Sequence, residues 1–410
     1  MNTRTVGNQI VKVPNILSVD DHVMEPPDLW TTRLPEQYRD SLPHVVREKG
    51  QRVGKNLWQA DEEGEWADVW HFEAISVCLT MELAAAGYSQ GELTQKAMLF
   101  EEMRRGCYIQ KERLADMTLD HVDASVCFPN VISRFCGQTF SEAKDKDLGL
   151  LCVQAYNDWM IDEWCAGDGR GRLIPLTMIP LWDPELAAVE IRRCAAKGSH
   201  AVAFSESPFA LGYDSVNTGA WNPFFAACDE TETTVCIHIG SSSRVAETSP
   251  DAKYGEISPV SYQYGMHSLV DIVLSGVLER YPTLRIAYSE ANIGWMPYIM
   301  QRMDILWDRR KRNPHGHIAL KDRPSSYIRD RIYGCIVDDA VGVRTSEFGI
   351  GMDKITFESD YPHGASSFPN SIDLAADICV STKLSDSEIY NFMRGNAIRA
   401  FRLEQFGVSA

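Results

Sequence analysis

Residues 16–30 read ILSVDDHVMEPPDLW. Ile16, Leu17 and Val19 call for burial, yet the run then meets Asp20, Asp21, His22 and Glu25 before Pro26 and Pro27 end it. A buried strand that finishes in carboxylates and an imidazole has two physical readings. The acids cap a following helix, or they belong to a metal site.

The rest of the chain repeats the pattern. Short apolar runs recur at DASVCFP (123–129), RLIPLTMIP (172–180), SHAVAFSE (199–206), TTVCIHIG (233–240), LRIAYSE (284–290), RIYGCIV (331–337) and KITFESD (354–360). Most are continuously apolar for several residues, as strands buried on both faces of a parallel sheet must be. Helical stretches separate them. PELAAVEIRRCAAKG (184–198) spaces Leu186, Val189, Ile191 and Cys194 for one face, and Gly198 ends it. Strands alternating with helices predict an α/β fold, a (β/α)8 TIM barrel of one domain over 1–410. A doubly wound open sheet is the alternative, but no GxGxxG or GxxxxGK[ST] follows any strand. The spacing is uneven, and the longest gap, about a hundred residues, follows the first strand. We read residues 23–110, which hold Trp30, Trp58, Trp66 and Trp70, as an insertion. It either covers the carboxyl-end mouth of the barrel or serves as a packing or oligomer contact.

Charge and cysteine content exclude several classes. The formal charge of −17 argues against nucleic acid or an anionic membrane as partner, and the basic cluster Arg309–Arg312 reads as a solvated loop. The 11 cysteines are odd in number and dispersed, which predicts a reducing, cytoplasmic setting rather than a disulfide framework. The first fifteen residues lack the apolar core of a signal peptide, and no apolar run has the length of a membrane span. The polar stretch 239–259 is a candidate mobile loop.

In such a barrel, polar groups at the carboxyl ends of strands converge. Asp20 and His22 end the first strand, Glu206 the fourth, His238 the fifth, Glu290 the sixth and Asp360 the eighth. Alternation puts Asp20 and His22 on one face and Asp21 on the other, where it serves as a structural hydrogen bonder. Asp20, His22, His238 and Asp360 form a mixed nitrogen and oxygen set for one divalent cation, Zn²⁺ before Mn²⁺ or Fe²⁺. Asp20 as an orienter of His22 stays open, as do a capping role for Asp360 and a salt-bridge role for Glu290. Glu25 and His363 are further candidates, and Arg134, just past the second strand, is placed to grip an anionic substrate.

SVDDHVMEPPDLW, VCIHIGSSS, LRIAYSEANIGWMPY and ESDYPHGASSFPNS resemble the metal-dependent amidohydrolase superfamily. The likeness runs closest to its branch of aminocarboxymuconate-semialdehyde and γ-resorcylate decarboxylases. The family's first motif, H-x-H, matches Asp20 and His22, with a carboxylate in the first position. Its strand-five His matches His238 and its strand-eight Asp matches Asp360. Glu290 stands where a strand-six His is usual, which makes this site more anionic. The resemblance implies a homodimer and a non-oxidative decarboxylase acting on a small cyclic or aromatic acid. Asp360, Glu290 and His238 would be catalytic, and Arg134, Glu206 and His363 would touch substrate. The alternative on the same residues is a hydrolase in which a metal-activated water cleaves an amide, ester, lactone or C–C bond. A barrel kept only for binding would have no use for these strand-end residues.

Overall fold

The computed structural model describes residues 1–54, 57–89, 91–253, 258–310 and 319–408. Eight parallel strands form the central sheet. They are β1 (Ile16–His22), β2 (Val122–Phe128), β3 (Leu173–Pro175), β4 (Ala201–Phe204), β5 (Thr234–His238), β6 (Ile286–Ser289), β7 (Ile332–Ile336) and β8 (Ile355–Phe357). Each pairs with its sequence neighbour from β4 to β8, β8 pairs with β1, β1 with β2, and β2 with β3. A parallel bridge between Thr177 and Val202 joins the β3 and β4 edges and closes the (β/α)8 barrel. Every residue of β1 is buried, as a strand covered by side chains inside and helices outside requires.

The helix after β3, Pro184–Ala196, starts where Asp183 accepts hydrogen bonds from the amides of Glu185 and Leu186. Its buried face is Ala187, Glu190, Ile191 and Cys194. Val189, expected on that face, is 60% exposed. At about 100° per residue, Val189 lies opposite the Ala187, Ile191 and Cys194 stripe. Glu190 takes the inward place because Asn157 and Arg193 satisfy its carboxylate.

The long segment between β1 and β2 contains a fold of its own. Strands His44–Val53, Leu57–Ala60, Glu65–Phe72 and Ile75–Cys78 pair antiparallel into a small closed barrel. Trp30 and Trp70 are fully buried and meet edge to face at 5.4 Å, and Trp30 and Phe72 each meet Phe140 at 5.6 Å, tying this segment to the main core. An antiparallel hairpin, Asn2–Val6 with Gln9–Val13, precedes β1. All 11 cysteines are buried and present as thiols. Among the described residues no helix is long and apolar enough to cross a membrane. Lys311 and Arg312 of the basic cluster, and residues 254–257 of the candidate mobile loop, lie outside the described residues.

One buried acid away from the barrel mouth ties stability to pH. Asp120 accepts from the Ser371 amide at 2.9 Å and its hydroxyl at 2.5 Å, at the start of helix Ser371–Thr382. Burial outweighs these bonds and pushes its carboxyl up to about 7. The folded chain therefore keeps a proton that the unfolded chain loses near pH 4. The group's stabilising contribution is whole below that pH and is lost as pH rises toward 7. Asp120→Asn cannot titrate. Thermal unfolding across pH 4.5 to 8 is expected to show the wild type falling relative to the variant up to pH 7, then running parallel. Parallel curves throughout would contradict the assignment.

Candidate metal centre

The strand ends deliver their polar groups to one end of the barrel. His22 and His238 are the last residues of β1 and β5, and both are buried. Each imidazole has its Nδ1 on a main-chain carbonyl, His22 on Pro129 at 3.1 Å and His238 on Ile239 at 2.6 Å. A carbonyl only accepts, so Nδ1 carries the proton and Nε2 offers its lone pair inward. Burial pushes His238 down to about 3 and His22 well below the usual imidazole range, with His363 and His238 adding to the effect on His22. Both rings are therefore neutral donors at physiological pH.

The carboxylates meet these nitrogens. His22 Nε2 lies 3.5 Å from both Asp20 Oδ1 and Asp360 Oδ1. His238 Nε2 lies 3.4 Å from Asp20 Oδ2 and 3.4 Å from Glu290 Oε2. Asp20, His22 and His238 form one group of potential ligands; His22, Asp360 and His363 form a second that shares His22. Both oxygens of Asp20, both of Asp360 and the Nε2 atoms of His22 and His238 are buried with no hydrogen-bond partner among the described residues. Orphaned polar atoms on this scale are costly unless something else meets them. A cation would: ligand atoms about 2.1 Å from a metal stand roughly 3.0 to 3.4 Å from one another, close to the spacings seen. The donor set of neutral imidazoles and carboxylates thus fits a divalent metal.

The acids crowd one another. Burial raises Asp20 well above the carboxylate range, and Glu358, Asp360 and Glu290 push it further. Asp360 and Glu290 are raised by burial too, reinforced by Asp21 on the first and Asp360 on the second. A bound cation removes that conflict. Asp21 itself turns away and accepts from Ser18, Ser125, Ser359 and the Tyr361 amide. Asp360 and Glu290 lie just past β8 and β6 in left-handed conformations, φ 54° and 51°. The Asp360 amide donates to Asp20 O at 3.0 Å, which sets the β8 end against the β1 end.

The other sequence candidates fall at varied places. His363 Nδ1 is 2.8 Å from Asp360 Oδ1, its Nε2 is 3.3 Å from Asn130 Oδ1, and its ring stacks on His22 at 3.9 Å. Glu25 is buried, accepting from the amides of Asn130, Val131 and Ser133. Glu206 accepts at Oε1 from Gly240 and Ser242, and burial pushes it up to about 7. Arg134 donates to Glu142 at 3.0 Å on the wall of a cavity of about 550 Å³. A neighbouring cavity of about 520 Å³ is lined by Asp360, His363 and Glu290 together with Glu82, Leu83, Leu93, Thr94 and Gln95.

Three contributors escaped the sequence reading. Glu358 sits two residues before Asp360, accepts from the Glu290 amide at 3.0 Å and from Cys335, and is pushed up to about 8 by burial. It is the first acidic residue after the apolar run of β8, the signal that marked Glu206 and Glu290. Phe135 stacks on His238 at 4.2 Å with an 11° tilt. Arg113 is buried behind the site, donates to His22 O at 2.5 Å and lies 4.1 Å over the Tyr361 ring. Neither comes from a strand, so no alternation points to it.

Comparison with known proteins follows the same lines. The amidohydrolase family model matches residues 44–403. The γ-resorcylate decarboxylase of Polaromonas sp. is 26% identical over 273 residues, covering 61% of this chain and 76% of that protein. An amidohydrolase from Mycobacterium avium subsp. paratuberculosis superposes with a TM-score of 0.66 at 19% identity, over 95% of this chain and 99% of its own. A dihydroxybenzoic acid decarboxylase from Polaromonas sp., solved with manganese and the inhibitor 2-nitroresorcinol, superposes with a TM-score of 0.60 at 15% identity, over 95% and 98% of the two chains. At such identities the two structures bear on the fold alone.

Proposed function

Because the chain belongs to the amidohydrolase family, we propose that it is a metal-dependent, non-oxidative decarboxylase of a small aromatic or other cyclic carboxylic acid. One observation carries this reading. Asp20, His22, His238 and Asp360 bring buried donor atoms without hydrogen-bond partners to the carboxyl end of the barrel, beside a cavity. The γ-resorcylate decarboxylase relative supports decarboxylation over hydrolysis, and the manganese in a structural neighbour supports a divalent cation.

Asp20, His22, His238 and Asp360 would hold the cation, with zinc as the assigned metal and manganese or iron(II) as alternatives. When bound, it supplies positive charge that fixes the substrate carboxylate with a neighbouring oxygen and stabilises negative charge developing there. Asp360 carries the proton to the ring carbon that bears the carboxylate. The bond between them then breaks, its electron pair stays with the ring, and CO₂ leaves. His238 is held at a fixed tilt by Phe135. Glu290, whose Oε2 lies 3.4 Å from the same His238 Nε2 that Asp20 approaches, is a second acid–base group. Arg134 and His363 touch substrate from the cavity walls. Glu206 acts through the Gly240–Ser242 backbone it holds. Residues 23–110 roof the pocket: Leu57, Ile75, Val77 and Leu83 supply its apolar lining and exclude water. A homodimer in the cytoplasm completes the reading, and the buried thiols fit a reducing compartment.

The test is a panel of hydroxybenzoates, muconate semialdehydes and amides given to the metal-loaded protein. CO₂ release is followed beside water-dependent cleavage. CO₂ in equal amount to the decarboxylated product is expected from at least one acid. Hydrolysis without CO₂ would replace this reading with that of a metal-dependent hydrolase.

A further inference from the structure

The two cavities at the barrel mouth share Leu83, Phe135 and Glu290, so they adjoin across that wall. The inner one holds Asp360 and His363. The outer one, about 550 Å³, holds no group of the metal centre beyond Glu290. Either chamber alone is ample for a single-ring acid. The outer chamber is mostly apolar, walled by Leu57, Ile75, Val77, Val131, Ile239 and Val245.

Two guanidinium groups reach that outer chamber, and they differ. Arg134 is met by Glu142 at 3.0 Å. Arg244 lines the same chamber and has no carboxylate partner among the described residues. Its side chain is exposed, but the backbone leading to it is held. Glu206 Oε1 accepts from Gly240 N at 3.0 Å, Ser242 N at 3.3 Å and Ser242 Oγ at 2.7 Å. Ser241 O accepts from Gln138 at 3.2 Å and Ser205 at 3.0 Å. The stretch just before Arg244 is thus anchored on β4 and the β2 loop. On a chain of net charge −17, an anionic substrate approaches against the overall field and needs a fixed local cation. A guanidinium fork matches a carboxylate.

We propose that the substrate has two parts: an acid end that reacts beside Asp360 and His363, and an apolar arm that passes Glu290 and Phe135 and ends in a second carboxylate held by Arg244. This rests on the decarboxylase reading of the metal centre. It specifies a dianionic substrate longer than one ring, and it makes Arg244 the residue that selects for the distal charge.

The test uses the full-length, metal-loaded protein and two probes, 3-(4-hydroxy-3-nitrophenyl)propanoate and its primary amide. The ortho-nitrophenol head imitates a hydroxybenzoate with no carboxylate to lose, and the arms differ only in charge. In equilibrium titration the acid is expected to bind the wild type about tenfold more tightly than the amide. Arg244→Gln should bring the two to parity and leave the amide unaffected, whereas Arg134→Gln should keep the preference. Equal binding by the wild type, or a preference that survives Arg244→Gln, would overturn the assignment. If both probes bind equally, only the arm fails; if neither binds, the metal-centre reading fails and takes this one with it.

Discussion

Asp360→Asn is expected to lower turnover by about 10³-fold while the protein stays folded. General acid–base groups contribute about 10² to 10⁴, and Asp360 is assigned that task at the reacting carbon. The exchange is close to isosteric. It preserves the backbone bond from the residue 360 amide to Asp20 O, and Asn tolerates the left-handed conformation at φ 54° nearly as well as Asp does. The contacts that change are those of Oδ1 with His363 Nδ1 at 2.8 Å and His22 Nε2 at 3.5 Å. Replacing a raised, crowded carboxyl by a neutral amide relieves repulsion with Asp20, Glu290 and Glu358. Thermal stability without metal should therefore hold or rise. Turnover measured at saturating metal separates the two duties of the residue. If Asp360 only held the cation, excess metal would restore the rate. The expected result is a rate that stays low with the cation fully bound. A variant that keeps a tenth of wild-type turnover under those conditions would remove Asp360 from the chemistry.

What the sequence made legible, and what it hid, follows from where periodicity exists. Strands buried on both faces are written as unbroken apolar runs, so all eight barrel strands could be read, and their ends marked one face of the molecule. Alternation also separated Asp21 from Asp20 and His22. Helix faces were less secure. In Pro184–Ala196 small alanines form the inward stripe while Val189 points out, so side-chain size misled. The four-stranded barrel between His44 and Cys78 went unread because its strands are mixed. His44–Val53 buries only Gly50, and alternation of polar residues on a solvated surface looks like loop. Phe135, Arg113 and Arg244 enter from loops and a helix, and their relation to the strand ends exists only in three dimensions. Glu206 teaches the same point from the other side. Its place at a strand end was legible, but its hydrogen bonds to Gly240 and Ser242, which turn it onto a loop, were not.

Stripping the divalent metal is expected to abolish activity and to lower the unfolding temperature by about 5 °C, both reversed by adding metal back. The buried oxygens of Asp20 and Asp360 and the Nε2 atoms of His22 and His238 have no hydrogen-bond partner among the described residues. A ligand that binds only the folded state adds RT ln(1 + [L]/Kd), about 4 kcal/mol at a thousand times Kd. For a chain of 410 residues, unfolding entropy of about 2 cal/mol/K per residue turns that into roughly 5 °C. Asp20→Asn removes a charge that lies within 3.5 Å of His22 Nε2 and 3.4 Å of His238 Nε2. It should therefore weaken metal binding more than any change at Glu25, whose carboxylate is already committed to the amides of Asn130, Val131 and Ser133. Glu25→Gln should instead lower stability with metal present or absent. Metal content after dialysis against a chelator, scanning calorimetry and turnover on the same samples make the comparison. Chelator-treated protein that holds no stoichiometric metal, unfolds at the same temperature and turns over unchanged would refute the metal centre itself.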